Sequence, residues 1–164
     1  MDTMPVKVVM LNAIPEAIFL IYLGLILIGI RPSKKRVFVA GVIQGVICYY
    51  IRKNSDFGIH IFMQYMSFVL LTWLVVKVPA LAAIISNLVV FIIAILLESL
   101  IGIMLPTITG MTMGEMMSRE WVRIASFLPY LFVIAGITHF SDRYKITLEQ
   151  EFKFLEKING KVKG

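Results

Sequence analysis

The longest apolar run of the chain, residues 80–105, constrains the fold more than any other feature. Its 26 residues exceed the roughly 20 that a helix needs to cross the hydrocarbon core of a bilayer. Glu98 is the one charged residue of this run. A carboxylate in hydrocarbon costs roughly 2.5 to 3.5 kcal/mol and normally faces a bundle interior or a water-filled cavity. Glu98 is therefore the first candidate for a functional site.

The composition places the whole chain in a membrane. Apolar residues make up 59%, charged residues make up 16%, and the mean hydropathy is +0.89, which leaves too little polar surface to cover a soluble domain of 164 residues. Cys48 is the single cysteine, so an intramolecular disulfide is excluded. The sequence has neither a CxxC motif nor a Cys/His cluster with metal spacing, and we predict no cofactor and no metal.

Five predicted spans follow one another with short connections, so we expect an all-α integral membrane protein with a five-helix transmembrane bundle. The second predicted span is short for a bilayer. Either its flanking residues extend the helix, or the bilayer is locally thinner beside it. We assign residues 1–141 to the bundle and residues 142–164 to a basic cytoplasmic tail. The spans are residues 8–30, 37–51, 59–76, 80–105 and about 122–140.

The distribution of basic residues predicts the orientation of the bundle. With the N-terminus outside and the C-terminus inside, the inner segments carry 11 of the 16 Lys and Arg residues and the outer segments carry 5. Basic residues near span ends are retained in the cytoplasm, so this orientation is favoured. The net charge of +6 then anchors the chain to the inner leaflet of the plasma membrane, and no nucleic-acid surface is predicted.

In this orientation every span places polar residues in the outer half of the bundle, with Asn12 among them. We predict a polar cavity there, opened where Pro15 and Pro129 interrupt the helices. Two acids and a histidine would give it affinity for cations or sensitivity to pH. The candidate ligand-binding residues are Glu16, His60, Gln64, Glu98 and Tyr130.

Each candidate also has a simpler interpretation. Glu16 follows a proline near a helix start, where the helix dipole favours an acid. Glu98 could pair with Arg119 or Arg123 reaching down from the outer connection, and His60 fits the headgroup level. A Cys48–His60 nucleophile and base would need a third orienting group, which the sequence does not identify, so we predict no enzyme.

Two further patterns indicate contacts between helices. Gly41 and Gly45 form a Gly-xxx-Gly pair, which favours close packing within the chain or across a homodimer. In the tail, Leu148, Phe152 and Leu155 recur at helical spacing over residues 147–158. This predicts a short amphipathic helix, which needs a partner helix or the membrane surface to persist. These three residues are our candidates for docking a partner.

Four short motifs carry a resemblance to a known family. They are Pro15-Glu16-Ala17, the turn at residues 27–32, the start of the third span at residues 57–60, and Glu98 with its neighbours at residues 96–99. Together they resemble the N-terminal membrane-sensor region of Gram-positive sensor histidine kinases of the GHKL type, related to peptide quorum-sensing receptors. In that family the last span leads into a kinase domain, whereas this sequence ends at Gly164. The resemblance therefore implies a stand-alone sensor, a regulator of a separate kinase, or a truncated sensor.

Two functions from different classes follow from these residues. The first is a non-enzymatic sensing or interaction module, in which an external ligand or proton binds in the outer cavity and the signal leaves through the last span. Its partners would be the lipid bilayer and a separate kinase or another membrane protein. The second is a small membrane subunit of a transporter, such as the substrate-binding component of a vitamin or metal importer.

Overall fold

The computed structural model describes residues 6–54 and 59–148, which form helices and connecting segments without a strand. The predicted all-α fold is confirmed for these residues. The helices are α1 (Val6–Val8), a π-helical segment (Val9–Ala13), α2 (Ile14–Leu27), α3 (Lys34–Asn54), α4 (Ile59–Leu74), α5 (Ala80–Thr109), α6 (Met113–Ser118) and α7 (Glu120–Tyr144).

Within the described ranges, three helical segments are long and apolar enough to span a membrane: Met10–Leu27, Ala80–Thr109 and Trp121–Tyr144. The helix Ile59–Leu74 is apolar but shorter. The outward faces of the long helices are apolar as well, since Ile103 and Phe132 are each 72% exposed. Such faces would be unfavourable in water and suit contact with lipid chains.

Three helices extend beyond their predicted ends, and one of them is α7, which runs from Glu120 to Tyr144. Helix α3 begins at Lys34 and ends at Asn54, so its 21 residues include basic flanks that the hydropathy pattern excludes. Helix α5 runs through Pro106 to Thr109, although the prediction ended the span at Leu105. A proline removes one N–H donor without stopping every helix. The stop comes at Gly110, which takes the left-handed conformation at φ 68°.

Helix α6 is an element that the prediction missed. Thr112 caps its start: the Thr112 side chain accepts a hydrogen bond from the Glu115 backbone N–H, and the Glu115 carboxylate accepts one from the Thr112 backbone N–H at 2.8 Å. This reciprocal pair is a capping box, whose signature is Thr or Ser followed three residues later by Glu. Residues 112–115 carry that signature.

Helix α2 lies at the centre of the bundle and packs against α3, α5 and α7. Close approach depends on glycines. A Cβ at Gly24 would lie 2.7 Å from the Ser86 carbonyl oxygen of α5, and Gly41 and Gly45 lie against Ile18 and Ile14 of α2. The Gly-xxx-Gly pair therefore serves a contact within the chain.

The same contacts give the helix directions. Because Gly41 meets Ile18 and Gly45 meets Ile14, α3 runs antiparallel to α2. Two hydrogen bonds, from Tyr130 to Glu16 and from Tyr22 to Asp142, show that α7 runs parallel to α2. We call the two ends of the bundle the Arg52 end and the Lys34 end, after residues near the two termini of α3.

Interhelical hydrogen bonds join α4 to its neighbours. The Asn87 side-chain amide on α5 donates to the Thr72 hydroxyl at 3.1 Å and to the Ala83 carbonyl at 2.7 Å. The Gln44 amide on α3 donates to the Ser67 hydroxyl at 2.8 Å. Helix α4 thus packs beside α5 across a connection of a few residues.

The chain beyond α7 turns back towards α2. Lys145 takes the left-handed conformation at φ 52°, and the Leu148 backbone N–H donates to the Leu27 carbonyl at 2.6 Å. Thr147 and Leu148 are not helical. The rest of the predicted amphipathic helix, with Phe152 and Leu155, lies outside the described residues.

Candidate functional site

A cavity of about 550 Å³ lies near the Arg52 end, between α2, α5 and α7. This volume is in the range of small-molecule sites. Glu16 and Glu98 both line it, so the two acids that the sequence analysis singled out come together in one cavity. The other polar lining residues include Asn12, Arg52, Arg123 and Tyr130, and the apolar ones include Val8, Ile101, Leu105 and Phe127.

Glu16 is held by α7. The Tyr130 hydroxyl donates to Glu16 Oε1 at 3.0 Å, and the Tyr130 side chain is 2% exposed. Glu16 follows Pro15 in the first turn of α2, directly after the π-helical segment. On α7, Tyr130 follows Pro129, and the helix continues through that proline. Pro129 has no N–H to donate to the Ala125 carbonyl, so the helix continues with one backbone donor fewer.

Asn12 projects from the π-helical segment into the same cavity. Its side chain is 3% exposed, and no donor within the described part of the chain reaches its Oδ1 atom. A buried acceptor left unsatisfied costs about 1 to 3 kcal/mol, so such an atom in a cavity wall is suited to a donor on a ligand. π-Helical turns recur at functional sites because they displace a side chain from its regular position.

The charges of the cavity are mixed. Arg52 interacts electrostatically with both Glu16 and Glu98, and Arg123 lines the cavity with them. Arg52 and Arg123 lie near the ends of their helices, whereas Glu16 and Tyr130 lie about two turns deeper. Glu16 therefore lies deeper than the two guanidinium groups, whereas Glu98 is exposed, and the cavity combines two acids with two arginines.

Two of the predicted site residues lie elsewhere. His60 and Gln64 are half-buried near the start of α4, and none of the described lining residues of the cavity belongs to that helix. The Gln64 backbone carbonyl accepts a hydrogen bond from the Ser67 hydroxyl at 2.7 Å. A role of His60 and Gln64 in ligand binding stays a prediction. Leu148 of the docking set is exposed and bonds to α2 through its backbone.

Arg52 was not a predicted site residue. The prediction ended the second span at Ile51 and assigned Arg52 to the following connection. Helix α3 continues instead, and its last turn carries Arg52 to the cavity. The sequence does contain a signal that the helix continues through residues 52–54, because Arg and Lys favour helices as strongly as most apolar residues do.

Two further observations concern the single cysteine and the side chains that could bind a metal ion. Cys48 is buried in a small apolar cluster with Val8, Ala13 and Ile124. Among the residues that the structure describes, no group of three His, Cys, Asp or Glu side chains comes together where it could hold a metal ion.

Comparison with known proteins adds no relative. No protein-family model, no curated protein and no solved structure matches this chain. Functional inference therefore depends on the cavity and its side chains.

Proposed function

We propose that this chain is a non-enzymatic membrane sensing module that binds a small external ligand in the cavity at the Arg52 end. One observation supports this most directly: Glu16 and Glu98 line a single cavity in which the buried Asn12 oxygen faces no donor of the described chain. Acids within transmembrane segments face bundle interiors or water-filled cavities and mark substrate, ion and proton sites.

The proposal includes the predicted topology of five spans with the N-terminus outside. Helices α3 and α4 would be the second and third spans, beside the three long apolar segments. With 21 residues, α3 would be about 30 Å long and would match the bilayer core if its basic ends reach the headgroups. The Arg52 end would then face the exterior and the Lys34 end the cytoplasm.

The mixed charges favour a ligand that carries both signs. A ligand ammonium group would bind between Glu16, Glu98 and the Asn12 oxygen, and a ligand carboxylate would bind Arg123 or Arg52 near the mouth. The apolar wall at Ile101 and Phe127 would contact a hydrocarbon side chain. Small zwitterions with an apolar side chain, such as amino acids and short peptides, have this combination.

Signal output would use α7. This helix carries Tyr130 in the cavity, and 12 residues later it carries Asp142, which accepts a hydrogen bond from Tyr22 at the Lys34 end. Ligand binding at Glu16 would therefore act on two helices, α2 and α7, that are joined again near the cytoplasmic tail. The resemblance to sensor histidine kinases suggests a separate kinase as the receiver, docked through Leu148, Phe152 and Leu155.

A thermal-shift experiment with leucine and two single-charge analogues tests the ligand class. Leucine should raise the Tm of the purified protein in detergent at millimolar concentration. N-acetylleucine, which lacks the ammonium group, and leucinamide, which lacks the carboxylate, should raise it much less. Glu98→Gln should abolish the leucine shift. Glu115→Gln, which replaces an exposed glutamate outside the cavity, should leave it unchanged.

Three outcomes would count against the proposal. Equal shifts with all three compounds would rule out recognition of both charges. A rise in Tm with leucine that persists in Glu98→Gln would show that leucine binds elsewhere. Accumulation of labelled leucine in proteoliposomes would assign the cavity to transport in place of sensing.

A further inference from the structure

A second cavity of about 360 Å³ lies at the other end of the bundle, where α3 and α7 flank α2. One part of its wall is polar and is formed by Lys34, Thr138, His139, Asp142 and the Tyr22 hydroxyl. The remaining wall is apolar and is formed by Ile18, Phe19, Val37, Phe38 and Ala135. We call this cavity the Lys34 groove.

The polar and apolar parts of the groove are separated along the helix axes. Lys34 is the first residue of α3, and Phe38 lies one turn further into the bundle. On α7, His139 lies one turn closer to the helix end than Ala135, and Asp142 lies closer still. The groove is therefore polar at the end of the bundle and apolar towards its middle, in the same direction as a phospholipid in a leaflet.

Basic residues surround the polar part. Arg31, Lys35 and Arg36 precede or follow Lys34 and are exposed, and Arg143 lies beside Asp142. The acidic group in the groove, Asp142, already accepts a hydrogen bond from Tyr22 at 3.2 Å. The amide groups of the first turn of α3 add partial positive charge near Lys34. The electrostatic balance at this end therefore favours an anion.

The apolar part opens towards the surroundings of the bundle. Phe38 is 58% exposed, although it lies on a helix that packs against α2. Helices α3 and α7 leave this side chain uncovered, and an acyl chain would cover it. Basic pockets between membrane helices are known sites for acidic lipid headgroups.

From this geometry we infer that the Lys34 groove is a binding site for one acidic phospholipid. The lipid phosphate lies against Lys34 and His139, and an acyl chain lies along Phe38 and Ala135. This inference is independent of the ligand proposed for the Arg52 end, because the two cavities share no lining residue.

Native mass spectrometry of the full chain, released from vesicles of equal parts phosphatidylglycerol and phosphatidylcholine, tests the inference. The wild type should retain one phosphatidylglycerol in preference to phosphatidylcholine. Lys34→Ala should lower that retention about tenfold, because a charge-assisted hydrogen bond to the phosphate is lost. Lys35→Ala is the matched control, since Lys35 has the same charge and lies next to Lys34 but does not line the groove. It should have a much smaller effect.

A second variant fills the groove without changing its charge. Ala135→Trp places a large ring where the acyl chain would lie and should also remove the retained lipid. Equal losses in Lys34→Ala and Lys35→Ala would show a general attraction to the surface and would overturn the inference. Full retention in Ala135→Trp, or equal retention of both lipids by the wild type, would overturn it as well. So would retention that rises when Phe152 and Leu155 are replaced by serine, since the tail would then occupy the groove.

Discussion

Polar side chains are buried in two regions of this bundle, and they behave differently. Between α4 and its neighbours, the Asn87 amide meets the Thr72 hydroxyl and the Gln44 amide meets the Ser67 hydroxyl. Near the Arg52 end, Asn12 is buried to a similar degree, but its oxygen faces a cavity and no donor of the described chain. Each region leaves one side-chain oxygen without a donor in the described chain, Gln44 Oε1 in the first and Asn12 Oδ1 in the second, but of these two residues only Asn12 lines the cavity at the Arg52 end, where a ligand could reach it.

The contrast shows that burial of a polar residue does not by itself distinguish a packing role from a binding role. Asn87 is 1% exposed and Asn12 is 3% exposed, so their burial is nearly the same. The difference lies in whether a neighbouring helix supplies the partner. Regular α-helix surrounds Asn87, whereas Asn12 lies on a π-helical turn that changes its direction.

The largest expected change in stability comes from a substitution where two helices pack closely. Gly24→Ala places a Cβ 2.7 Å from the Ser86 carbonyl oxygen, which belongs to backbone and has little room to move. We expect a loss of about 1 to 3 kcal/mol in the free energy of unfolding, as for other overpacked sites. SDS titration of the protein in mixed micelles, followed by circular dichroism, measures it.

Gly136→Ala is the matched control, because a Cβ there meets nothing within 4 Å. It should be neutral or stabilising, since alanine favours a helix by up to about 1 kcal/mol over glycine. Equal destabilisation by both substitutions would mean that the contact between α2 and α5 is not close.

A smaller difference separates the two asparagines. Asn87→Ala removes one interhelical hydrogen bond, to Thr72, and one bond within α5, to the Ala83 carbonyl. It should lower the free energy of unfolding by about 0.6 to 1.7 kcal/mol, from the mean to the maximum found for interhelical bonds in a membrane protein. Asn12→Ala removes an unsatisfied acceptor and should not lower it. The same titration compares the two variants. If Asn12→Ala were the more destabilising, Asn12 would be a structural residue.

The smallest effect concerns the capping box of α6. The backbone N–H and the hydroxyl of Thr112 donate to the Glu115 carboxylate and hold the pKa of Glu115 below its usual range. A lowered pKa in the folded state means that this stabilisation is present above about pH 4.3 and is lost as the pH falls through the lower value. The ¹³C shift of the Glu115 carboxyl measures the pKa, and Thr112→Val should raise it. A Glu115 pKa at or above the usual range in the wild type would contradict the cap.

The sequence predicts well those features that depend on hydropathy and glycine spacing. The long span at residues 80–105 and the close approach at Gly41 both follow from residue types at helical intervals. The continuation of α5 through Pro106 was missed, because a proline stops a helix less reliably than a left-handed glycine does.

The composition of the site was harder to predict. The place of Arg52 in the cavity depends on the last turn of α3, and boundaries are the least certain part of a span. The orphaned Asn12 oxygen depends on a π-helical turn that has no simple sequence signature. His60 appeared equivalent to Glu98 by depth alone, but depth does not determine which helix face is presented to the cavity.

Cross-linking of paired cysteines tests the shared cavity most directly. In a Cys48→Ser background, which removes the single native thiol, Glu16→Cys and Glu98→Cys are combined and treated with a short membrane-impermeant bismaleimide on intact cells. We predict an intramolecular cross-link between the two positions, detected by mass spectrometry of the digested protein. Reaction of each cysteine with the reagent but no link between them would place the two side chains on separate surfaces and would contradict the account.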